Sequence, residues 1–143
     1  MIDGVQISSL KKISHPKGDI FHALKQTDNS YNGFGEAYFS FVNEGAIKGW
    51  KKHTEMVLNL IVPQGAVKFV IYDDREDSRT KGVFMDVELS PMNYQRLTVQ
   101  PNLWVAFQGK GPGHNMLLNV ASIAHDPSES CNAELGVFNY CWS

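Results

Sequence analysis

The sequence has few cysteines and no long apolar run, and each shortage narrows the class of protein. Cys131 and Cys141 are its only cysteines, too few for a disulfide framework and without the partners of a zinc site. We therefore expect two reduced thiols and a cytoplasmic protein. Apolar runs such as residues 57–62 are too short to cross a bilayer. Residues 1–12 lack the charged start and apolar stretch of a signal peptide.

An excess of charge of either sign is also missing. The formal net charge is −2, so no broad basic surface is available for nucleic acid or an anionic membrane. We expect neither as a partner. Apolar residues make up 43% of the chain and charged residues 20%, which is typical of a globular protein rather than a disordered one. A length of 143 residues fits a single domain.

Helical periodicity is absent as well, since no stretch repeats apolar residues at helical spacing over three turns. Short β-rich runs separated by turn residues are typical of a sandwich or barrel instead. Without intervening helices a parallel βαβ sheet is excluded, and closure would hide the strand edges. We predict an all-β, single-domain fold in which residues 1–17 form an N-terminal arm and residues 18–143 a β-barrel. The predicted strands are residues 5–7, 19–26, 36–42, 46–50, 56–62, 66–72, 83–89, 94–99, 103–107 and 114–123.

The densest group of chemically active side chains lies in residues 48–56, KGWKKHTEM. On a strand, Lys51 and His53 share one face because side chains alternate. Enclosure and a neighbouring cation both favour loss of the lysine proton, and such a lysine can serve as a general base. The alternative is that Lys51, Lys52 and His53 form an exposed, solvated loop.

Short stretches from Gly18 to Trp142 resemble, in order and spacing, the dTDP-4-dehydrorhamnose 3,5-epimerase group, the sugar-nucleotide-modifying branch of the cupins. The resemblance implies a cupin jelly-roll β-barrel, a homodimer and a nucleotide-linked 4-keto sugar as ligand. It implies 3,5-epimerisation or keto-isomerisation of a 4-keto-6-deoxy sugar nucleotide by proton transfer, in cell-surface polysaccharide synthesis. The matching stretches are GDIFHALK (18–25), GFGEAYFS (33–40), IKGW with His53 (47–53), LNLIVPQG (58–65), VIYDDREDSRTKG (70–82), P.LW..F.G (101–109), LNVASIAHDPSES (118–130) and FNYCWS (138–143).

In that group a histidine in an RG-[aliphatic]-H motif is the base, a tyrosine from a later strand is the acid, and the arginine contacts the substrate near its phosphates. The resemblance places Lys48 at the arginine position and Lys51 at the base position. It places Asn119 near the tyrosine position, while His53 matches a second histidine of the shorter relatives. A further histidine often found before the conserved Phe107 is Val105 here.

These departures leave two interpretations open. In the first, Lys51 is the base and His53 or Tyr38 the acid of a modified epimerase or ketoisomerase. In the second, the chain has lost that chemistry and only binds a carbohydrate or sugar nucleotide. A metal-dependent cupin is a third and weaker interpretation, because Lys51-x-His53 replaces the usual pair of histidine ligands. We expect no metal and no other cofactor.

Three further residues match the shorter relatives and are implied to bind substrate: Asn59, Arg75 and Trp104. Each of the last two has a plain alternative. Arg75 could pair with an acid of its own loop, DDRED, and Trp104 could be a core aromatic. We expect the segment Met1 to Lys12 to be the swapped or interface element of the homodimer.

Overall fold

Two five-stranded antiparallel sheets make up most of the chain, and the computed structural model describes residues 1–143. The first sheet has the order β1-β9-β6-β11-β4 and the second the order β12-β5-β10-β7-β8, with β2 and β3 forming a separate hairpin-like pair. The strands are β1 Val5–Ser9, β2 Lys12–Ile13, β3 Ile20–Phe21, β4 Glu36–Asn43, β5 Ile47–His53, β6 Leu58–Gln64, β7 Val67–Tyr72, β8 Phe84–Leu89, β9 Gln95–Val99, β10 Trp104–Gly109, β11 His114–Ala121 and β12 Ser130–Asn132. The predicted all-β jelly roll is confirmed.

The main core lies between the two sheets because each strand alternates its apolar side chains inward. Phe69 and Ile71 from β7 face Leu97 from β9 across this layer, and none of the three is accessible to solvent. Ile2 is also buried there, and β1 pairs with β9 of the same chain. The N-terminal segment therefore completes the first sheet in cis.

A second apolar cluster covers the outer face of the second sheet. Trp50, Val70, Trp104 and Ala106 form its buried part. Residues 133–143, called here the C-terminal strap, lie over it and contribute Phe138, Tyr140 and Trp142. The sheet is therefore covered on both faces, and side chains of β5 face either the inner cavity or the strap.

Several predicted strand limits were wrong. Residues 19–26 contain only the two-residue strand β3. The backbone carbonyls that follow β3 accept hydrogen bonds from side chains and not from a neighbouring strand. The carbonyl of His22 accepts from the Tyr94 hydroxyl at 2.7 Å, and that of Ala23 accepts from Arg96 at 2.8 Å. The short strands β2 and β12 were not predicted. The two helices are single 3-10 turns, Pro127–Glu129 and Leu135–Val137, and neither could span a membrane.

Candidate active site

One cavity of about 290 Å³ opens between the two sheets. The first sheet contributes side chains from β4, β6 and β11, and the second from β5 and β10. Apolar walls alternate with a small set of polar groups, which is typical of ligand sites. The lining residues are Tyr38, Ser40, Lys48, Gly49, Lys51, His53, Leu58, Leu60, Val105, Phe107, Leu117 and Asn119. Five residues predicted to act in the site, Tyr38, Lys48, Lys51, His53 and Asn119, are therefore brought together.

A β-bulge in β5 explains why Lys48 lines the same cavity as Lys51 and His53. In a regular strand, Lys48 and Lys51 would face opposite ways because their spacing is odd. On β10, however, Val105 pairs with Lys51 and Phe107 pairs with Lys48, so two residues of β5 oppose one of β10. The extra residue resets the alternation. Both amines and the imidazole consequently face inward, while Trp50 is 1% exposed on the other side.

His53 is held by Glu129, a residue that the sequence did not single out. The Nδ1 atom of His53 lies in hydrogen-bond contact with Oε1 of Glu129. The other carboxylate oxygen accepts from the backbone N–H groups of Glu55 and Met56, at 3.0 and 3.2 Å. Glu129 is 4% exposed. Burial raises its pKa, but the hydrogen bonds from His53, Glu55 and Met56 together hold the pKa below its ordinary value, so Glu129 is a carboxylate at neutral pH.

Local sequence explains how Glu129 reaches His53. Asp126 caps the 3-10 turn by accepting from the N–H of Ser128 at 3.0 Å. Pro127 takes the first position of the turn, where no N–H is needed. The carbonyl of Glu129 accepts from the N–H of Thr54 at 2.8 Å. Directly afterwards, β12 pairs with the end of β5. The Asp-Pro-x-Glu pattern, which predicts a capped turn that ends on a carboxylate, was the available sequence signal for Glu129.

The three lysines of β5 have different surroundings. Lys48 Nζ donates to Ser40 Oγ at 3.1 Å and lies 5.9 Å from the centre of the Phe107 ring. Lys51 lines the cavity but is exposed to solvent. The prediction that the protein encloses this side chain was therefore wrong. Its Nζ makes no hydrogen bond or ion pair. The cavity lining contains two lysines and one histidine but no carboxylate, which makes it attractive to an anionic ligand.

Tyr38 and Asn119 meet across the paired strands β4 and β11. The Asn119 amide donates to the Tyr38 hydroxyl at 3.1 Å, and its oxygen accepts from the backbone N–H of Asn59 at 3.1 Å. Tyr38 is 39% exposed. Its hydroxyl therefore reaches the cavity while still being fixed by a buried amide.

Asn59 does not line the cavity. Its side chain faces the outer side of the first sheet, where it accepts from Thr98 Oγ1 at 2.6 Å and donates to the carbonyl of Ser30 at 3.2 Å. Leu58 and Leu60, its two neighbours on β6, face the cavity instead. The alternation of the strand thus places Asn59 where it ties residues 30–32 to the sheet.

Arg75 also lies away from the cavity. It forms a two-point pair with Asp73, with Nε and the terminal nitrogen each at 2.9 Å from a carboxylate oxygen, and donates to the carbonyl of Asp3 at 2.6 Å. The Arg75 guanidinium, aided by Ser78 and Thr80 against the opposing effect of burial, holds the pKa of Asp73 well below its usual range. Arg75 therefore connects the N-terminal segment to the turn after β7.

Trp104 packs in the outer cluster, on the face of β10 opposite to the cavity. It is 7% exposed, its indole N–H donates to Asp74 at 2.8 Å, and its ring lies 5.3 Å from that of Phe138. Val105 and Phe107 are the residues of β10 that face the cavity. No group of three or more His, Cys, Asp and Glu side chains is placed to hold a metal ion.

Comparison with known proteins identifies relatives of this chain. The crystal structure of a dTDP sugar isomerase from Desulfovibrio desulfuricans G20 is 33% identical, covers 99% of this chain and 92% of its own, and superposes with a TM-score of 0.95. A probable low-salt glycan biosynthesis epimerase, Agl13 of Haloferax volcanii, is 25% identical over 127 residues, or 87% of this chain and 81% of the relative. No protein-family model matches the chain.

The fold is shared more widely. The dTDP-4-dehydrorhamnose 3,5-epimerase of Bacillus anthracis strain Ames, solved with TDP and pyrophosphate, is 18% identical. It nevertheless superposes with a TM-score of 0.85 over 96% of this chain and 84% of its own. The 33% identity to the dTDP sugar isomerase over 99% of this chain confirms the resemblance in the sequence: the chain belongs to the dTDP-4-dehydrorhamnose 3,5-epimerase-like family of cupins.

Proposed function

We propose that the protein is a sugar-nucleotide epimerase or keto-isomerase that acts on a 4-keto-6-deoxy sugar nucleotide in cell-surface polysaccharide synthesis. The observation that carries this proposal is the single cavity that collects Tyr38, Lys48, Lys51, His53 and Asn119. The 33% identical relative is a dTDP sugar isomerase, which supports a nucleotide-linked sugar as the ligand. Agl13 is a probable low-salt glycan biosynthesis epimerase, which supports epimerisation in polysaccharide synthesis.

Proton transfer next to a ketone needs a base near the carbon-bound proton and a donor near the developing enolate oxygen. We assign the proton transfer to Lys51 and His53, with Tyr38 as a third group able to donate. The contact of Glu129 with Nδ1 of His53 fixes the orientation of the imidazole ring in the cavity. Lys48 supplies positive charge for the diphosphate, although an amine lacks the two-point geometry of arginine.

The test is hydrogen exchange at the sugar. We would incubate the protein in D₂O with dTDP-4-keto-6-deoxyglucose or GDP-4-keto-6-deoxymannose and follow deuterium at C3 and C5 by NMR. We expect exchange in at least one of these positions, and its loss in Lys51→Ala. Exchange that persists in Lys51→Ala would remove Lys51 from the reaction.

A binding protein without catalysis is the second candidate. It is favoured by the replaced acid and base positions, since Asn119 cannot protonate a carbanion at neutral pH and Lys51 stands where the family has its histidine base. Calorimetric titration with dTDP, combined with the deuterium exchange measurement, separates the two functions. Binding of dTDP and of both keto sugars without any deuterium uptake would establish the binding protein and overturn the epimerase.

We further propose that the protein is a cytoplasmic homodimer whose interface is β4 instead of the expected segment Met1 to Lys12, because β1 pairs with β9 of the same chain. The strand β4 is an edge of the first sheet, and its outward side chains Phe39 and Phe41 are 59% and 51% exposed. Large apolar side chains on a free sheet edge are typical of an association surface. Cys131 and Cys141 are exposed free thiols, which suits a reducing compartment.

A further inference from the structure

Lys51 is the only lysine of β5 whose amine has no partner. Lys48 bonds to Ser40, and Lys52, on the opposite face, lies 3.9 Å from Asp74 and 4.9 Å from the centre of the Trp104 ring. The amine of Lys51 lines the cavity and is neither paired nor hydrogen-bonded. A free primary amine in a ligand pocket is chemically able to do more than accept a proton.

The surroundings of Lys51 leave its amine free to meet a carbonyl in the cavity. An amine that is held by no counter-ion and no hydrogen bond has no contact to break before it adds to a ketone. The cavity has Lys48 and His53 beside Lys51, no carboxylate in its lining, and aliphatic walls that include Leu58 and Leu60. The buried acid Glu129 is already engaged by His53.

Resting on the proposed function, we propose that Lys51 forms an imine with the ketone carbon of the bound 4-keto sugar. The amine nitrogen adds to the carbonyl carbon, and the resulting carbinolamine loses one water to give a protonated imine. A proton then leaves the adjacent carbon for His53, and the electron pair of that C–H bond neutralises the iminium to give an enamine. Reprotonation of the carbon and hydrolysis by water restore the ketone and the amine, with no change in oxidation state.

This assignment accounts for the replaced base and acid positions together. A protonated imine withdraws electrons more strongly than a neutral ketone, so the adjacent C–H bond becomes acidic without a donor at the oxygen. Asn119 occupies the region where the family has its acid, and an amide suffices there when no enolate oxygen needs a proton. His53, positioned by Glu129, is then the group that moves the proton.

Reductive trapping tests the imine directly. The intact protein is incubated with dTDP-4-keto-6-deoxyglucose or GDP-4-keto-6-deoxymannose, treated with sodium cyanoborohydride, and measured by mass spectrometry and peptide mapping. We expect a mass increase equal to the sugar nucleotide less one oxygen atom, located on Lys51. Lys51→Arg retains the charge but abolishes trapping, whereas Lys52→Arg, the matched neighbour on the other face, is trapped as the wild type is.

The outcomes separate this inference from the proposed function. Deuterium exchange without an adduct, or an adduct on Lys48 instead, would overturn the imine and leave the epimerase standing. An adduct on Lys51 without exchange would support the imine and overturn the epimerase. Deuterium exchange retained at the wild-type rate in Lys51→Arg, which forms no imine, would also overturn the covalent role. Absence of both adduct and exchange would overturn both proposals.

Discussion

Glu129 is the residue on which the orientation of His53 depends. Its buried carboxylate accepts from the imidazole and from two backbone N–H groups of the turn that follows β5. A carboxylate in this position fixes the tautomer and stabilises the imidazolium that forms when His53 takes a proton. The pair therefore gives His53 a defined direction in a cavity that contains no carboxylate of its own.

Replacing Glu129 by glutamine keeps the shape but removes the charge. We expect Glu129→Gln to slow deuterium exchange about 10- to 100-fold, less than the full contribution of a general acid–base group, with little change in the affinity for dTDP. The pH profile of exchange should also shift, because the negative charge beside the imidazole is gone. NMR exchange rates at several pH values, together with dTDP titrations, measure both effects.

Ser128→Ala is the matched control, because it alters the same 3-10 turn without touching His53. Ser128 Oγ donates only to Asp126, at 2.7 Å, and the side chain is exposed. An unchanged pH profile in Glu129→Gln, with the fold intact by circular dichroism, would show that the carboxylate is merely structural.

At the scale of elements, β5 is shaped by its partners on both sides. Its bulge against β10 brings Lys48 inward, and its edge is covered by β12. The alternation of the sequence correctly put Lys51 and His53 on one face. Lys48 could not be placed in the same way, because a bulge depends on the register with β10 and leaves no periodic signal in β5 itself. Strands of two or three residues, such as β12, are too short to show alternation at all.

The C-terminal strap stabilises the outer face of β5, and Phe138 is its central contact. The ring of Phe138 lies 4.6 Å from Tyr72 and 5.3 Å from both Trp50 and Trp104. We expect Phe138→Ala to lower the free energy of unfolding by about 2–3 kcal/mol, below the range for a fully buried phenylalanine because the ring is half-buried. Urea unfolding followed by tryptophan fluorescence measures the change.

Val137→Ala provides the comparison for the strap. Val137 is 60% exposed, so its truncation should change stability by less than about 0.5 kcal/mol. Equal effects of the two substitutions would mean that the strap does not pack on the sheet as described.

For the whole molecule, the sequence predicted the all-β class and the jelly roll, because turn residues punctuate short alternating strands throughout. It did not show which binding residues reach the cavity. Arg75 and Trp104 match the family by position. The direction of each side chain, however, depends on which neighbouring residue accepts its hydrogen bonds. Asp73 holds the guanidinium, and Asp74 holds the indole on the outer face. Such pairings arise only when the loop after β7 closes on the finished sheets.

The proposed dimer is a property of the whole molecule that the edge strand β4 makes testable. Phe39 and Phe41 face outward beside Leu118 and Met116 of β11, their cross-strand partners, so the edge carries a continuous apolar surface. Burying a glutamate there would cost more than the apolar contact gains. We expect the wild type to sediment as a dimer at micromolar concentration and the Phe39→Glu/Phe41→Glu double variant as a folded monomer.

Met92→Glu is the control for this experiment, since Met92 is a lone apolar side chain, 94% exposed, in the turn between β8 and β9. It should leave the sedimentation coefficient unchanged. A monomeric wild type, or a double variant that remains dimeric, would exclude β4 as the interface. Because Tyr38 stands on the same strand with its hydroxyl in the cavity, a dimer built on β4 would also restrain one wall of the site. The monomeric variant should therefore bind dTDP more weakly than the wild type, although its substitutions face away from the cavity.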